Sequence, residues 1–369
     1  MKTLKKPGLS LALLFLALYL AITLGPAAVY GAAKMAGEEG TALTGPTPEA
    51  APTAPASPQP EGSPLPPGFL EGQSLPQEEE AGEGEDVFTV YDVATEEVYS
   101  VPAREFVASA LACEMDLSSP QEALKAQAVA AYTYYSRQRE KGEKVQGADF
   151  ACDSGSWLVY VPESGMQARW GESYGSNWAL LLEAVDAVQG QALTWEGELA
   201  LSSYFAISPG STEAAANVWD PSAGESFPYL QAVASPGDRF SDGYMASLSF
   251  TEEEFQTACA AYFADDPPDF SGSSEGWLTG LVYTPSGMVR EAVLGGKAVT
   301  GTALREALSL RSACFTLEVQ DGMLVFTTRG WGHGVGMSQA GAVFLAEQGA
   351  DYTEILAHYY PGAQLTPLR

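Results

Sequence analysis

The chain has 369 residues, with 47 acidic against 18 basic side chains and a formal net charge of −29. So large an acidic excess argues against nucleic acid or an anionic membrane surface as the main ligand, and the length allows one or two domains with sizeable cores. The cysteines Cys113, Cys152, Cys259 and Cys314 form no Cys-x-x-Cys pair, so neither a zinc finger nor a dense disulfide framework is indicated, and spacing does not choose a pairing.

Lys2, Lys5 and Lys6 precede an uncharged run over residues 9–33. A basic flank followed by an apolar run directs export, with the N-terminus inside. Gly31-Ala32-Ala33 offers small residues suited to signal cleavage. The run is also long enough to span a bilayer, which takes about 20 residues. A retained single-pass anchor over residues 1–33 is the favoured reading, and both versions place the remainder outside the cytoplasm. Residues 34–86 are mostly Pro, Glu, Gly, Ser, Thr and Ala. Such a segment buries too little apolar surface to order itself and reads as an extended disordered tether.

Order is expected from Val87. Val87-Phe88-Thr89-Val90-Tyr91 and Glu97-Val98-Tyr99-Ser100-Val101 alternate as strands around a turn at Ala94-Thr95-Glu96. A helix then runs through Phe106, Ala110 and Leu111 to Cys113-Glu114-Met115-Asp116. Glu114 reads as a carboxylate in a turn ahead of a second helix. Ser119 is that helix's expected N-cap, Pro120 its first residue and Glu122 the capping-box partner. Leu124, Ala128, Ala131 and Tyr135 make its apolar face. An acid between apolar Cys113 and Met115 has a raised pKa and can serve as a general acid. A surface glutamate at a helix junction is the plainer alternative.

Residues 142–155 read as a loop, 157–160 as a short strand and 178–188 as a helix. Residues 191–195 and 200–205 read as a second hairpin around Glu196-Gly197. It leads into the polar turn Ser208-Pro209-Gly210-Ser211-Thr212-Glu213, whose hydroxyls either meet a ligand or cap the turn. Residues 236–312 read as a small α+β insertion, with Thr251 capping one helix, strands at 278–282 and 289–294, and a helix at 303–308. Residues 315–319 and 324–328 form a hairpin over Asp321-Gly322. The class is therefore α+β: a mixed strand and helix core over residues 87–369, with a smaller α+β insertion.

That hairpin enters Arg329-Gly330-Trp331-Gly332-His333-Gly334-Val335-Gly336-Met337-Ser338-Gln339-Ala340-Gly341. Alternating glycines let a backbone turn sharply and approach a ligand closely. No Gly-Lys-Ser/Thr closes a phosphate loop, and the glycine spacing does not suit nicotinamide binding. A lone histidine is usually structural; the glycines around His333, with Ser338 and Gln339 beside it, give a ligand role equal weight. Helices at 342–348 and 352–359 follow, and Tyr360-Pro361-Gly362 ends the fold.

Glu114-Met115, the run Glu122-Ala123-Leu124-Lys125-Ala126-Gln127-Ala128-Val129-Ala130-Ala131 and the stretch from Gly330 to Gln339 together resemble the stage II sporulation protein D family. Gly295, Leu304-Arg305, Leu310-Arg311-Ser312 and His358-Tyr359-Tyr360-Pro361-Gly362 fit the same pattern. The likeness covers roughly Val87 to the C-terminus. It implies a membrane-anchored lytic transglycosylase, without cofactor, acting on peptidoglycan glycan strands. A partner cell-wall amidase would first strip the stem peptides, during engulfment of the forespore. The family's catalytic glutamate matches Glu114, and the substrate contacts suggested are Gln127, Tyr204, Ser208, Thr212, His333, Ser338 and Gln339. One protonated Glu suits this chemistry, because an anhydro ring closes without activated water and needs no second carboxylate. Three departures stand out. Asp116 replaces a usual proline, and its charge is expected to raise Glu114 further. Ala206, Ile207 and Pro209 replace more polar residues. Ser156 and Trp157 stand where clostridial relatives continue a metal-binding region that Cys152-Asp153 would begin, so no metal is expected. A glycan-binding scaffold that localises or enhances an amidase is the alternative; were the enzyme instead a hydrolase, which needs a second carboxylate, Asp116 or Glu213 would be the first candidates.

Overall fold

The computed structural model describes residues 86–219 and 226–367. The expected anchor, and all of the expected tether but its last residue, lie outside these. Helices and strands mix throughout, in the α+β class, with the strands in several small sheets.

The first hairpin pairs β1 (Val87–Asp92) with β2 (Glu97–Pro102), Val87 opposite Pro102. Its turn is local chemistry: the Asp92 carboxylate accepts from Ala94 N at 3.1 Å and Thr95 Oγ1 at 3.0 Å. Helix α1 (Ala103–Glu114) and helix α2 (Gln121–Lys141) follow. Ser119 does not cap α2. Pro120 does not enter the helix: with φ −55° and ψ 142° it is extended and takes the cap position itself, its carbonyl accepting from Ala123 and Leu124. Glu122 closes no capping box either. Its carboxylate accepts from Lys125 Nζ at 2.7 Å and from Tyr352 N at 2.9 Å.

Strand β3 (Phe150–Cys152) lies parallel to β1 inside the stretch expected to be a loop. Three residues are too few to show a period. Residues 157–160 form no strand, because Trp157 and Val159 take left-handed φ of 56° and 73°. An unexpected helix α3 (Glu163–Trp170) precedes α4 (Tyr174–Ala187). Strand β4 (Gln191–Trp195) turns into β5 (Glu198–Leu199) over Glu196 and Gly197, both at positive φ. The rest of the expected hairpin arm leaves: β6 (Tyr204–Phe205) pairs elsewhere, ahead of a short helix α5 (Ala215–Val218).

Next come β7 (Met245–Thr251) and α6 (Glu252–Tyr262), the latter opened by a Thr251–Glu254 capping box. Strands β8 (Leu278–Tyr283), β9 (Val289–Leu294) and β10 (Lys297–Thr300) form one antiparallel sheet. Helix α7 (Gly301–Ala307) is capped by Thr300. Strands β11 (Phe315–Gln320) and β12 (Met323–Arg329) make the hairpin over Asp321-Gly322, with β7 beside β12. Their apolar faces meet in one core, where Phe255 stacks on Trp277 and on Phe326, each at 6.1 Å.

The chain then returns to the first core. Strand β13 (Met337–Ser338) pairs in parallel with β6. Helices α8 (Gln339–Glu347) and α9 (Tyr352–Tyr359) follow, and β14 (Gln364–Pro367) pairs with β4, so Tyr360-Pro361-Gly362 does not end the fold. Helix α2 is the axis of this core. Its alanines leave little side-chain bulk, so α1, α4, α8, α9 and β4 all pack on it, and Ala123 to Ala131 is buried except for Lys125. At one end, Phe106 meets Phe88 and Tyr135 at 4.9 Å and Phe150 at 5.2 Å. Among the described residues no helix is long and apolar enough to cross a membrane.

Candidate functional site

Glu114 is the last residue of α1, not part of a free turn; Met115, extended at φ −121°, ends the helix. Its carboxyl therefore sits where helix carbonyls gather negative potential, which disfavours a second negative charge. Burial pushes Glu114 up to about 7, while one hydrogen bond opposes the shift. In that bond Gln339 Nε2 donates to Glu114 Oε2 at 3.0 Å. A neutral amide favours the carboxylate less than burial disfavours it. Asp116 plays no part: it is exposed, and its carboxylate accepts from Ser118 N at 2.7 Å and Ser118 Oγ at 2.6 Å. The expected effect of its charge on Glu114 is replaced by the effect of burial.

Gln339 opens α8, and the start of α8 is fixed from behind. Ser338 caps the helix, its Oγ accepting from Gly341 N at 3.3 Å, and the same hydroxyl donates to Asp238 Oδ1. Asp238 is fully buried in a short 3-10 turn, Pro236–Phe240. It also accepts from Ser208 N at 2.6 Å and from Ser235 Oγ, which lies 2.7 Å from Tyr359 Oη. Burial raises Asp238 above the usual carboxylate range against the pull of these donors. Gly341 lets the helix lie on this cluster: a Cβ there would come within 1.9 Å of Tyr359 Oη and 2.3 Å of Ser235 Oγ. Asp238 was not legible as part of the site. Ser235-Pro236-Gly237-Asp238 has turn composition, and nothing in it points to a partner a hundred residues away.

The glycine loop packs along residues 203–213. Met337 N donates to Ser203 O, Ile207 and Trp331 exchange backbone bonds, and Glu213 N donates to Gly334 O. Gly336 needs both its φ of 83° and its missing side chain, since a Cβ would meet Ser203 O at 2.0 Å. His333 is buried within this seam, between Phe205 and Trp219. Val335 N donates to Nδ1 at 3.1 Å, so Nε2 carries the proton and donates to Tyr204 O at 3.1 Å. Burial pushes the imidazole down to about 3. It is neutral at any working pH, and its hydrogen bonds go to backbone.

The other sequence candidates divide clearly. Tyr204 is half-buried, its ring near Tyr134 at 6.2 Å and its hydroxyl bonded to Tyr135, which also feels the Glu114 charge. These residues share the Glu114 neighbourhood. Ser208 and Ser338 are fully buried in the Asp238 cluster. Thr212 is buried in the same turn, where its Oγ1 donates to Gln231 O and accepts from Val233 N. Gln127 is buried within α2, and neither of its amide atoms has a hydrogen-bond partner among the described residues. Glu213 is buried and held by Ala214 N, Asn217 Nδ2, Thr284 Oγ1 and Ser286 Oγ, so it ties its turn to the β8–β9 connection. Cys152 packs in the core, and burial raises its thiol. Among the described residues no group of three or more His, Cys, Asp and Glu side chains is placed to hold a metal ion.

The family profile described as Stage II sporulation protein matches residues 91–195. Stage II sporulation protein D of Bacillus amyloliquefaciens is 36% identical over 279 residues, covering 75% of this chain and 78% of that protein. The protein of the same name from Bacillus subtilis (strain 168) is 36% identical over 280 residues, with 75% and 78% covered. The amidase enhancer of Bacillus subtilis (strain 168) is 26% identical over 300 residues, covering 69% of this chain and 39% of that protein.

Two outcomes follow from this geometry. The folded-state pKa of Glu114 lies above its unfolded value, so the native protein holds a proton that the unfolded chain has already released. That favours the fold at low pH, and stability declines as pH rises from the ordinary glutamate range through about 7. Glu114→Gln lacks this decline. Its melting temperature should match wild type at acid pH and exceed it above pH 7, whereas parallel curves would show that Glu114 is not held protonated. Gly341→Ala should lower stability by about 1–3 kcal/mol through overpacking against Tyr359 and Ser235, measured by chemical denaturation.

Proposed function

The chain belongs to the stage II sporulation protein D family, and on that premise we propose that it is a lytic transglycosylase of peptidoglycan, working on strands already stripped of stem peptides. The observation that carries this reading is a half-buried Glu114 raised to about 7 by burial, with only a neutral amide bonded to it. Protonated, Glu114 donates to the glycosidic oxygen, and the leaving sugar departs as an alcohol. The resulting carboxylate takes the proton of the muramyl C6 hydroxyl, and that oxygen bonds to the anomeric carbon. An anhydro ring closes, the proton count balances and no water enters. One carboxyl group thus serves as acid and then base. The placement of the other acids agrees: Glu213 is engaged by four donors, and Asp116 is exposed and turned to Ser118. Gln339 fits a role in orienting the acid, and the His333 loop fits the wall of the substrate groove.

A second reading, a glycan-binding scaffold that enhances a cell-wall amidase, is favoured by the similarity to the Bacillus subtilis amidase enhancer. An amidase as upstream partner suits both readings. The apolar run at residues 9–33 and its lysine flank support a single-pass anchor with the folded region outside the cytoplasm.

The full chain, purified in detergent, is to be incubated with peptide-free glycan strands and the products weighed by mass spectrometry. Anhydromuramyl ends should accumulate. Glu114→Gln should lose turnover by at least about 10²-fold, the lower end of what general acid–base catalysis contributes. Reducing muramic acid ends would make the protein a hydrolase. No cleavage by either protein, with strands still bound, would favour the scaffold.

A further inference from the structure

Four aromatic side chains make a continuous ladder beside the Glu114 site. Trp157 meets Trp170 with ring centroids 5.8 Å apart. Trp170 then stacks on Tyr174, and Tyr174 on Trp178, each at 6.3 Å, with planes 25° and 15° apart. Trp170 ends α3 and Tyr174 opens α4 across a 3-10 turn at Gly171–Ser173, and Tyr174 and Trp178, four residues apart, share one side of α4. All four residues are partly exposed. Fully overlapping rings would lie about 3.5–4 Å apart. At 6.3 Å each near-parallel ring has slipped past the next, as in an offset stack.

The rim of the ladder is polar. Glu163 accepts from Gln167 Nε2 at 2.7 Å and also engages the Tyr174 hydroxyl. The Arg169 guanidinium lies 4.2 Å from the Trp157 ring centre. Arg169 also acts electrostatically on Cys113, the residue before Glu114. Helices α1 and α4 pack on each other, and Arg104 early in α1 pairs with Asp186 late in α4, so the two run antiparallel and the start of α4, with Tyr174 and Trp178, lies at the end of α1 that carries the acid.

We propose that Trp157, Trp170, Tyr174 and Trp178 form an accessory platform that binds a carbohydrate strand and leads it to Glu114; the proposal rests on the glycan reading above. The C–H faces of pyranose rings pack on aromatic faces, and their hydroxyl and acetamido groups meet hydrogen-bonding rims such as Glu163, Gln167 and Arg169. Evenly spaced rings suit a polymer of repeating sugars better than a single small molecule. The net charge of −29, with Glu163 and Glu172 at the ladder, opposes a nucleic acid strand. A protein partner would need a larger open apolar centre, and none of these four rings is among the strongly exposed apolar side chains.

The test uses the full chain carrying Glu114→Gln, so that strands are bound without being cut. Peptide-free glycan strands are titrated against it with and without Tyr174→Ala, and with Tyr174→Phe, which keeps the ring. Tyr174 is outside the buried core cluster, and a thermal melt checks that each variant folds. Affinity should fall by about tenfold in Tyr174→Ala and hold in Tyr174→Phe. In a fluorotryptophan-labelled chain with the ladder intact, the resonances of Trp157, Trp170 and Trp178 should move as strands are added. Unchanged affinity in Tyr174→Ala, or ladder resonances that stay still while strands bind, would overturn the platform alone. Failure of the Glu114→Gln chain to bind strands at all would overturn the glycan reading, and the platform with it.

Discussion

The bond from the Gln339 amide to the Glu114 carboxyl, 3.0 Å long, joins residues 225 positions apart, and the candidate site depends on both ends being held. One end is the last turn of α1, packed on α2 through a face of aromatic and small apolar residues. The other is the first residue of α8, whose cap is bonded to a buried carboxylate. Asp238 gathers Ser338, Ser235 and Ser208 onto one group. It thereby ties the glycine loop, the 208–213 turn and α9 to the position of Gln339. Buried networks of this kind hold one geometry when every member is paired.

Three acids in this region show how partners decide roles. Glu213 is surrounded by donors from two backbone segments and serves as a tether. Asp238 is buried but shares its charge among hydroxyls and a backbone N–H. Glu114 has the amide of Gln339 and the negative end of a helix. Burial with so little compensation costs stability at neutral pH, and it leaves a carboxyl able to give and take a proton there. His333, the residue that the sequence makes most conspicuous, goes the other way: its two ring nitrogens are spent on backbone partners and burial keeps it neutral.

Much of the fold is legible where its cause is local. The β1–β2 turn, the Thr251 cap and the Asp321-Gly322 hairpin each rest on residues a few positions apart, and each forms as the pattern implies. Most of the failures are non-local. Strand β3, the parallel β6–β13 pair and β14 exist because of partners far along the chain. Glu122 has capping-box spacing but spends its carboxylate on Lys125 and on the start of α9. In the site, Glu114 and Gln339 are both visible as candidates, while the bond between them is not. The hydroxyls of Ser208, Thr212 and Ser338 look the same in sequence whether they face a ligand or a buried acid. Asp238 has no local signature at all.

Burial keeps the proton on Glu114 well above the ordinary glutamate range, and infrared difference spectroscopy between wild type and Glu114→Gln observes that proton directly. A protonated carboxyl C=O band assigned to Glu114 should persist through pH 6 and give way to carboxylate around pH 7, in line with the value of about 7. A band already replaced by carboxylate at pH 5, in the ordinary glutamate range, would show that Glu114 titrates as an ordinary carboxylate and is not held protonated by burial.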